Sequence, residues 1–395
     1  MNIVIVVHYL FPHITGTDVG AFEQAKRYVR LGHEVTMVSS NLHHSPAEEV
    51  KDGVIVVRVK AVNFLETFGI PYPIFSPGLI SVLRKKISRA DIVHVHGMLY
   101  ISSIAAIRIA THYKKPVVLT QTAPDKYHFR PRAGSGLAVR ISNFCKGSVI
   151  GALESISLYI GKGNLARSDQ ITVLSMPLKK MLVEMGVEEQ KIEYISNGVD
   201  TDFFHPVSAG EKMALRKELQ LPPDEKLILS IGRFVPKKGL DIFIGAADPA
   251  YRLVVVSRGD FEPHIKKAPG RVTVLEPMPQ EKLIKVYQAC DVFVLAAAGE
   301  DVFSLVLMEA MACGLPVITS NDPFYRNYID DKKVWLIKPA SADIREAIKK
   351  ILSDPVLYAQ MSSYARLAAM EKFSWDSRIV QYLNIYNRLT ATSDR

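Results

Sequence analysis

Short β-branched runs alternate with helical patterns along nearly the whole chain, and this alternation constrains the fold more than any other feature. The strand candidates are Ile3–Val7, Val35–Val38, Val54–Val59, Ile92–Val95, Val117–Thr120, Ile171–Val173 and Ile192–Ile195. After a break come Leu227–Ile231, Leu253–Val256, Val272–Leu275, Val292–Leu295 and Val317–Thr319. Continuous apolar strands of this kind belong to parallel sheets covered by helices on both faces. Helices such as Ala21–Leu31 and Gln280–Ala289 lie between them, the first ending at Gly32 and the second at Asp291. The reading is an α/β protein with two doubly wound, Rossmann-like domains.

The two blocks meet at Asn197–Pro206 (NGVDTDFFHP), which has turn formers at both ends and no sustained period. A length of 395 residues suits two or three domains. The expected division is an N-terminal domain over 1–200, a second over 201–371, and a last helical segment over 372–395. The apolar face of that segment (Ile379, Tyr382, Leu383, Tyr386, Leu389) needs a surface to cover, and packing back on the first domain would supply one. Doubly wound sheets bind ligands at the carboxyl ends of their strands, so two of them imply a cleft.

Apolar residues make up 48% of the chain and charged ones 23%, which excludes disordered, collagen-like and low-complexity classes. Cys145, Cys290 and Cys313 are odd in number and far apart, showing no disulfide framework or zinc cluster and suiting a reducing setting. The net charge is +9, and its distribution is uneven. Between Arg84 and Lys146 twelve basic residues face only two acids, Asp91 and Asp125. Such a field attracts polyanions: nucleic acid, an anionic membrane or a phosphorylated substrate. No nucleic-acid recognition motif accompanies the charge. Asn2–Phe11 is too short to span a membrane and runs into Pro12 without a cleavage site, and Gly147–Ile160 is short and carries Glu154. The expected location is cytoplasmic, with peripheral contact on the membrane's cytoplasmic face.

The sharpest motif is Gly299–Gly314 (GEDVFSLVLMEAMACG): a strand, an acidic glycine loop, then a helix from about Leu305. Glu309 sits one turn inside that helix among apolar residues, where an unpaired carboxylate would cost several kcal/mol. Ribose hydroxyls would satisfy it, as would a structural hydrogen bond inside a core helix. The helix start ahead of it offers free N–H groups and a positive dipole end, suited to a diphosphate. A second motif, Ile231–Asp241 (IGRFVPKKGLD), places Arg233 and Lys238 in a glycine-flanked loop. An Arg fork and a Lys point charge suit a diphosphate leaving group, though solvated loop charges would look the same.

With these motifs on the page, the chain resembles the family 4 glycosyltransferases, retaining enzymes of the GT-B fold. The resemblance runs over nearly the whole chain through Gly32-His33-Glu34-Val35, Asp91–Gly97 (DIVHVHG), Ile195–Pro206, Gly232–Asp241, the acidic loop with Glu309, and Phe373-Ser374-Trp375. It implies a nucleoside-diphosphate sugar, of UDP or GDP type, as co-substrate, with no other cofactor and no metal. Asp301 and Glu309 have the family's spacing of eight, with Asp301 where the family usually has Glu and Glu300 beside it. The resemblance implies that Glu309 binds ribose, that amides of Phe303, Ser304 and Leu305 cradle the diphosphate, and that Arg233 and Lys238 balance its charge. Base contacts would come from near Arg258 and Pro277-Met278, and an N-terminal loop would approach the diphosphate through Gly16 and Thr17. The assigned catalytic set is Arg233, Lys238, Asp301, Glu309 and His96.

Departures from the family pattern are visible. Thr15–Gly20 reads TGTDVG in place of paired glycines, Thr120-Gln121-Thr122 stands where the family often has Thr-x-His, and the turn Ser257–Asp260 is atypical. A threonine cannot act as an imidazole does in carrying a proton. His94 and His96 alternate at a strand end, one expected to face the cleft and the other the interior; His96 would help bind acceptor or sugar, though a structural role is open to either. Asp200-Thr201-Asp202 mimics a metal-binding DxD, and Gly161-Lys162-Gly163 with Ala166 mimics a dinucleotide fingerprint. Neither has the right context.

The basic stretch includes two amphipathic patterns. Leu79–Arg89 sets Leu79, Val82, Leu83 and Ile87 against Arg84, Lys85, Lys86 and Arg89; Leu137–Ile160 follows Arg130 and Arg132; and Phe64, Phe68, Tyr72 and Phe75 precede both. They suit docking on an anionic membrane, or equally apolar faces packed into a core with charges outside. The sequence thus points to a retaining hexosyltransferase passing sugar to a glycan, lipid-linked or phosphorylated acceptor in polysaccharide or glycolipid synthesis. The alternatives are a catalytically weak nucleotide-sugar-binding scaffold, or an epimerase or hydrolase of the same fold.

Overall fold

The structure is a computed structural model that describes residues 1–11, 16–42, 45–63, 73–122, 159–259, 261–266, 270–297, 304–321, 329–330 and 333–393. Its contacts divide the chain into two units, Met1–Ser196 with Ile379–Arg395, and Asn197–Arg378.

The first unit holds strands β1 (Asn2–Val6), β2 (Glu34–Asn41), β3 (Glu48–Lys51), β4 (Val54–Val62), β5 (Ile74–Phe75), β6 (Ile92–His96), β7 (Val117–Gln121), β8 (Gln170–Val173) and β9 (Ile192–Tyr194). The sheet order is β3-β4-β2-β1-β6-β7-β8-β9, with β5 beside β4. All pairings are parallel except those of β3 and β5 with β4. Alternation along β1 explains the layers: Ile3 and Ile5 enter one core, Val4 and Val6 the other. Helix α1 (Gly16–Arg30) and the last helix of the chain cover the first face through Ala21, Ala25, Tyr28, Ile379, Tyr382 and Tyr386. Helices α2 (Gly78–Ile87), α3 (Ile101–His112) and α4 (Met176–Glu184) cover the second through Leu83, Ala106 and Leu178.

The second unit holds β10 (Leu227–Ile231), β11 (Arg252–Val256), β12 (Val272–Leu275), β13 (Val292–Leu295), β14 (Val317–Ser320) and β15 (Trp335–Ile337), ordered β12-β11-β10-β13-β14-β15 and parallel throughout. Its helices are α5 (Ala209–Glu218), α6 (Leu240–Ile244), α7 (Glu262–Ile265), α8 (Gln280–Ala289), α9 (Leu305–Ala312), α10 (Ser341–Ser353) and α11 (Pro355–Lys372); α12 (Trp375–Ser393) is the last helix, whose first four residues count with this unit. In each sheet the strand order reverses beside the first strand, between β1 and β6 and between β10 and β13. Such switch points open a crevice at the carboxyl ends of the flanking strands.

A buried chain of hydroxyls and one imidazole ties α1 and α12 to the first sheet. Tyr28 donates to the Tyr386 hydroxyl at 3.2 Å, and that hydroxyl lies 2.6 Å from Nδ1 of His94. His94 Nε2 lies 2.6 Å from Oγ1 of Thr120, which lies 2.6 Å from Oγ1 of Thr172. Every member is buried. Burial first, and then the neighbouring His96, holds His94 well below the usual histidine range, so the ring is neutral and bonded at both nitrogens. Removing one partner strands its neighbours at about 1–3 kcal/mol. Tyr386→Phe is therefore expected to lower stability by about that amount, read as a fall in the midpoint of thermal or urea unfolding.

Candidate active site

In the second unit the switch point lies between β10 and β13. The chain leaves β10 at Ile231, turns at Gly232, and forms a 3-10 turn over Pro236–Lys238. That turn ends on Gly239, whose φ of 63° is left-handed. A Cβ there would stand 2.2 Å from the carbonyl oxygen of Ala296, just beyond β13. Only glycine lets the turn press on the end of that strand. Lys238 is thereby carried back over Gly232, where an added Cβ would sit 3.6 Å from its Cγ. Arg233 stands exposed at the same strand end.

Helix α9 begins beyond β13. Ser304 is its extended N-cap and makes no side-chain capping bond. Its carbonyl takes the amides of Leu307 and Met308 at 3.1 and 3.2 Å, leaving the amides before them without an intrahelical acceptor. Ser304 and Leu305 are half-buried at this dipole end. Asp301 and Phe303 lie outside the described residues, as do the side chains of Gly16 and Thr17 at the start of α1.

Glu309, one turn into α9, is only 7% exposed. Tyr287 on α8 donates to its Oε2 at 2.7 Å. Burial pushes the carboxyl up to about 7, against hydrogen bonds from Tyr287 and Gln280 that pull it down. Burial, and then the Glu309 carboxylate, drives the Tyr287 phenol well above its usual range. The ring is held edge-on by Phe204, their centroids 5.8 Å apart. From α11, Arg366 donates to the carbonyls of Thr201, Phe204 and Ala312, fixing the far end of α9 to the NGVDTDFFHP segment.

The structure thus gathers Arg233, Lys238, Ser304, Leu305 and Glu309 around two adjacent strand ends. Two base-contact candidates have other engagements: Arg258 follows β11 as an exposed side chain paired with Glu276 at 3.4 Å, and Met278 packs against the core beside α8. Sequence reading missed Tyr287 and Gln280, whose helix shows only an apolar stripe. It also missed Ser230, Ser257 and Ser320 at this edge of the sheet, whose buried hydroxyls have no hydrogen-bond partner among the described residues.

In the first unit His96 ends β6 at the β1/β6 switch point. It is buried, and neither ring nitrogen has a hydrogen-bond partner among the described residues. Burial lowers it to about 3, which leaves a neutral ring able to donate from one nitrogen and accept at the other. The expectation that His94 and His96 face opposite ways is corrected: residues two apart on a strand share a face, and the two rings lie 4.5 Å apart. Gln121 turns its side-chain oxygen to the amide of Met98 at 3.0 Å, with Thr122 half-buried after it. Asp200 caps its own turn, accepting from the amides of Asp202 and Phe203, and the described residues hold no metal-ligand cluster. Gly161 serves packing, since a Cβ there would stand 2.9 Å from Leu99.

Residues 14–203 match the family model described as Glycosyltransferase Family 4, and residues 211–368 match Glycosyl transferases group 1. The chain belongs to glycosyltransferase family 4. It is a glycosyltransferase with the fold class of the GT-B enzymes. Among curated relatives, a D-inositol 3-phosphate glycosyltransferase of Nocardia farcinica is 28% identical over 90% of this chain and 80% of its own. One of Xylanimonas cellulosilytica is 29% identical over 95% and 92%. Among solved structures, Anabaena HepE in complex with UDP aligns with a TM-score of 0.73 at 16% identity over 98% of this chain and all of that one. Sucrose-phosphate synthase of Thermosynechococcus elongatus gives 0.71 at 21% over 99% of each.

A glycosyltransferase that buries Glu309 at a raised pKa loses stability to it. The folded state holds its proton more tightly than the unfolded chain does, so stability falls as pH rises from about 4.5 to about 7 and stays reduced above. Glu309→Gln is expected to raise the free energy of unfolding at pH 8 by on the order of 3 kcal/mol, with most of the gain lost near pH 5. Unfolding titrations at the two pH values check this.

Proposed function

We propose that this glycosyltransferase takes a sugar from a nucleoside-diphosphate donor held by the second unit and transfers it, with retention, to a phosphorylated or lipid-linked acceptor held by the first. The observation that carries the donor reading is the set at the β10/β13 switch point: a buried carboxylate, a helix N-terminus and two cations. Glu309 would accept hydrogen bonds from the ribose diol. The first amides of α9, with Phe303, Ser304 and Leu305, would cradle the diphosphate. Arg233 and Lys238 would offset the charge that develops on the leaving group, and Asp301 would sit by the transferred sugar.

The basic excess of the first block supports an anionic acceptor, and its likeness to D-inositol 3-phosphate glycosyltransferases supports a phosphorylated one. His96, neutral and unpartnered at the β1/β6 crevice, would bond a hydroxyl of acceptor or sugar. Thermal-shift measurements with UDP, GDP and ADP should show one stabilising base. Glu309→Ala and Arg233→Ala should each weaken its binding tenfold or more, and unchanged binding and transfer in both would sink the assignment. Donor turnover without any acceptor would indicate an epimerase or hydrolase; tight donor binding without turnover would indicate a scaffold.

We infer further that the first unit rests on anionic membrane through Arg84, Lys85, Lys86 and Arg89. The apolar side of α2, Leu79, Leu83 and Ile87, is buried in the core, while Arg84, Lys85 and Arg89 are exposed and Ile80 is 40% exposed beside them. Phe75 packs on the same core, and the aromatics Phe64, Phe68 and Tyr72, with Arg130, Arg132 and most of Leu137–Ile160, lie outside the described residues. No described helix is long and apolar enough to cross a membrane. Co-sedimentation with phosphatidylserine vesicles at low salt should fall when Arg84–Lys86 are reversed to Glu, and an unchanged bound fraction would exclude this surface.

A further inference from the structure

Tyr287 touches two parts of the candidate donor site at once. Its hydroxyl donates to Oε2 of Glu309 at 2.7 Å and lies 3.3 Å from the carbonyl oxygen of Val306, in the first turn of α9. The ring is fully buried, with Phe204 edge-on and Phe293 at 6.1 Å between centroids. Such a ring has no freedom to follow a moving carboxylate. The terminal torsion of a glutamate is otherwise broad, so an unpinned Glu309 would sample many orientations.

We propose that Tyr287 is the positioning residue of the donor site, fixing the Glu309 carboxylate relative to the first turn of α9 so that ribose and diphosphate are received in one geometry. With Oε2 committed to the phenol, Oε1 would accept from the diol. Gln280, at the start of the same helix α8, also pulls the carboxyl's pKa down. The constraint on Glu309 therefore comes from a neighbouring helix, while the amides that would meet the diphosphate come from its own. The proposal rests on Glu309 as the ribose ligand, and the test separates the two.

The experiment measures the Kd of UDP, with GDP and ADP in parallel, for the full chain and for Tyr287→Phe, Glu309→Ala and the double variant. Tyr287→Phe should raise Kd about five- to twentyfold, the loss of one charge-assisted hydrogen bond. In the Glu309→Ala background the same change should alter Kd less than twofold. A structural role would not move a second readout, the pH dependence of binding. Among the described residues, Tyr287 and Gln280 on α8 and Cys313, just after α9, are the titratable or hydrogen-bonding groups that influence Glu309. Removing the phenol withdraws a bond that favours the ionised form, so the pH below which UDP binding weakens should shift upward. Gln280→Met, an exposed site, should shift it the same way and serves should Tyr287→Phe fail to fold. Unchanged binding in Glu309→Ala would overturn the ribose reading itself. A loss in Glu309→Ala without one in Tyr287→Phe, additive losses in the double variant, or a fixed pH midpoint in both α8 variants would overturn the positioning role.

Discussion

Parallel strands cannot be joined by a tight turn, and the rest of this molecule depends on that restriction. Each strand must be followed by a crossover, usually a helix, that returns the chain to the opposite edge of the sheet. The loops at the carboxyl edge are then the ones that begin helices, so free amides and positive dipole ends accumulate there. In the second unit the reversal of strand order beside β10 opens that edge between β10 and β13. Arg233 and Lys238 follow one strand and α9 follows the other. Gly239 holds the two together, because its left-handed backbone lets the Pro236–Lys238 turn lie directly on Ala296.

Inside this frame two buried polar side chains are treated oppositely. His94 is bonded at both nitrogens and linked to α1, α12, β7 and β8, as a core histidine should be. His96, two residues on, is buried and bonded at neither among the described residues. Glu309 lies between these cases: Tyr287 satisfies one oxygen, and burial still lifts its pKa to about 7. An apolar residue in its place on α9 would cost the fold less. Departures of this kind from the local rule concentrate where a chain does chemistry, and this supports the proposed roles of His96 and Glu309.

Much of the architecture was legible because buried parallel strands advertise themselves as continuous apolar runs. The candidates at Leu227–Ile231, Val272–Leu275 and Val292–Leu295 coincide with β10, β12 and β13. The strands that escaped are short or polar: β3 reads EEVK at an antiparallel edge, and β5 and β15 have two and three residues. They are set by pairing with β4 and β14, which no local period encodes. Arg233, Lys238 and Glu309 were legible because charge in a glycine loop or an apolar helix is conspicuous. Tyr287 was not, since a tyrosine in the stripe of an amphipathic helix reads as core. Its partner lies 22 residues away on a different helix. The facing of His94 and His96 was misread although a strand's period of two decides it.

The location of the positive charge limits what a membrane contact of this chain can be. An amphipathic helix that inserts must expose its apolar face, and α2 does not: Leu79, Leu83 and Ile87 are committed to the core with Val93 and Ile107. What remains outside is basic, and one of its members, Lys86, already lies 3.7 Å from Glu48. Such a surface adsorbs by charge, at about 1 kcal/mol for each Lys or Arg near anionic headgroups, with steep loss in salt. Three or four cations give a weak and reversible attachment. That would suit the proposed enzyme, which would meet an anionic acceptor at a surface and still exchange a water-soluble nucleotide after every transfer, whereas a helix buried in lipid would gain affinity at the expense of that exchange.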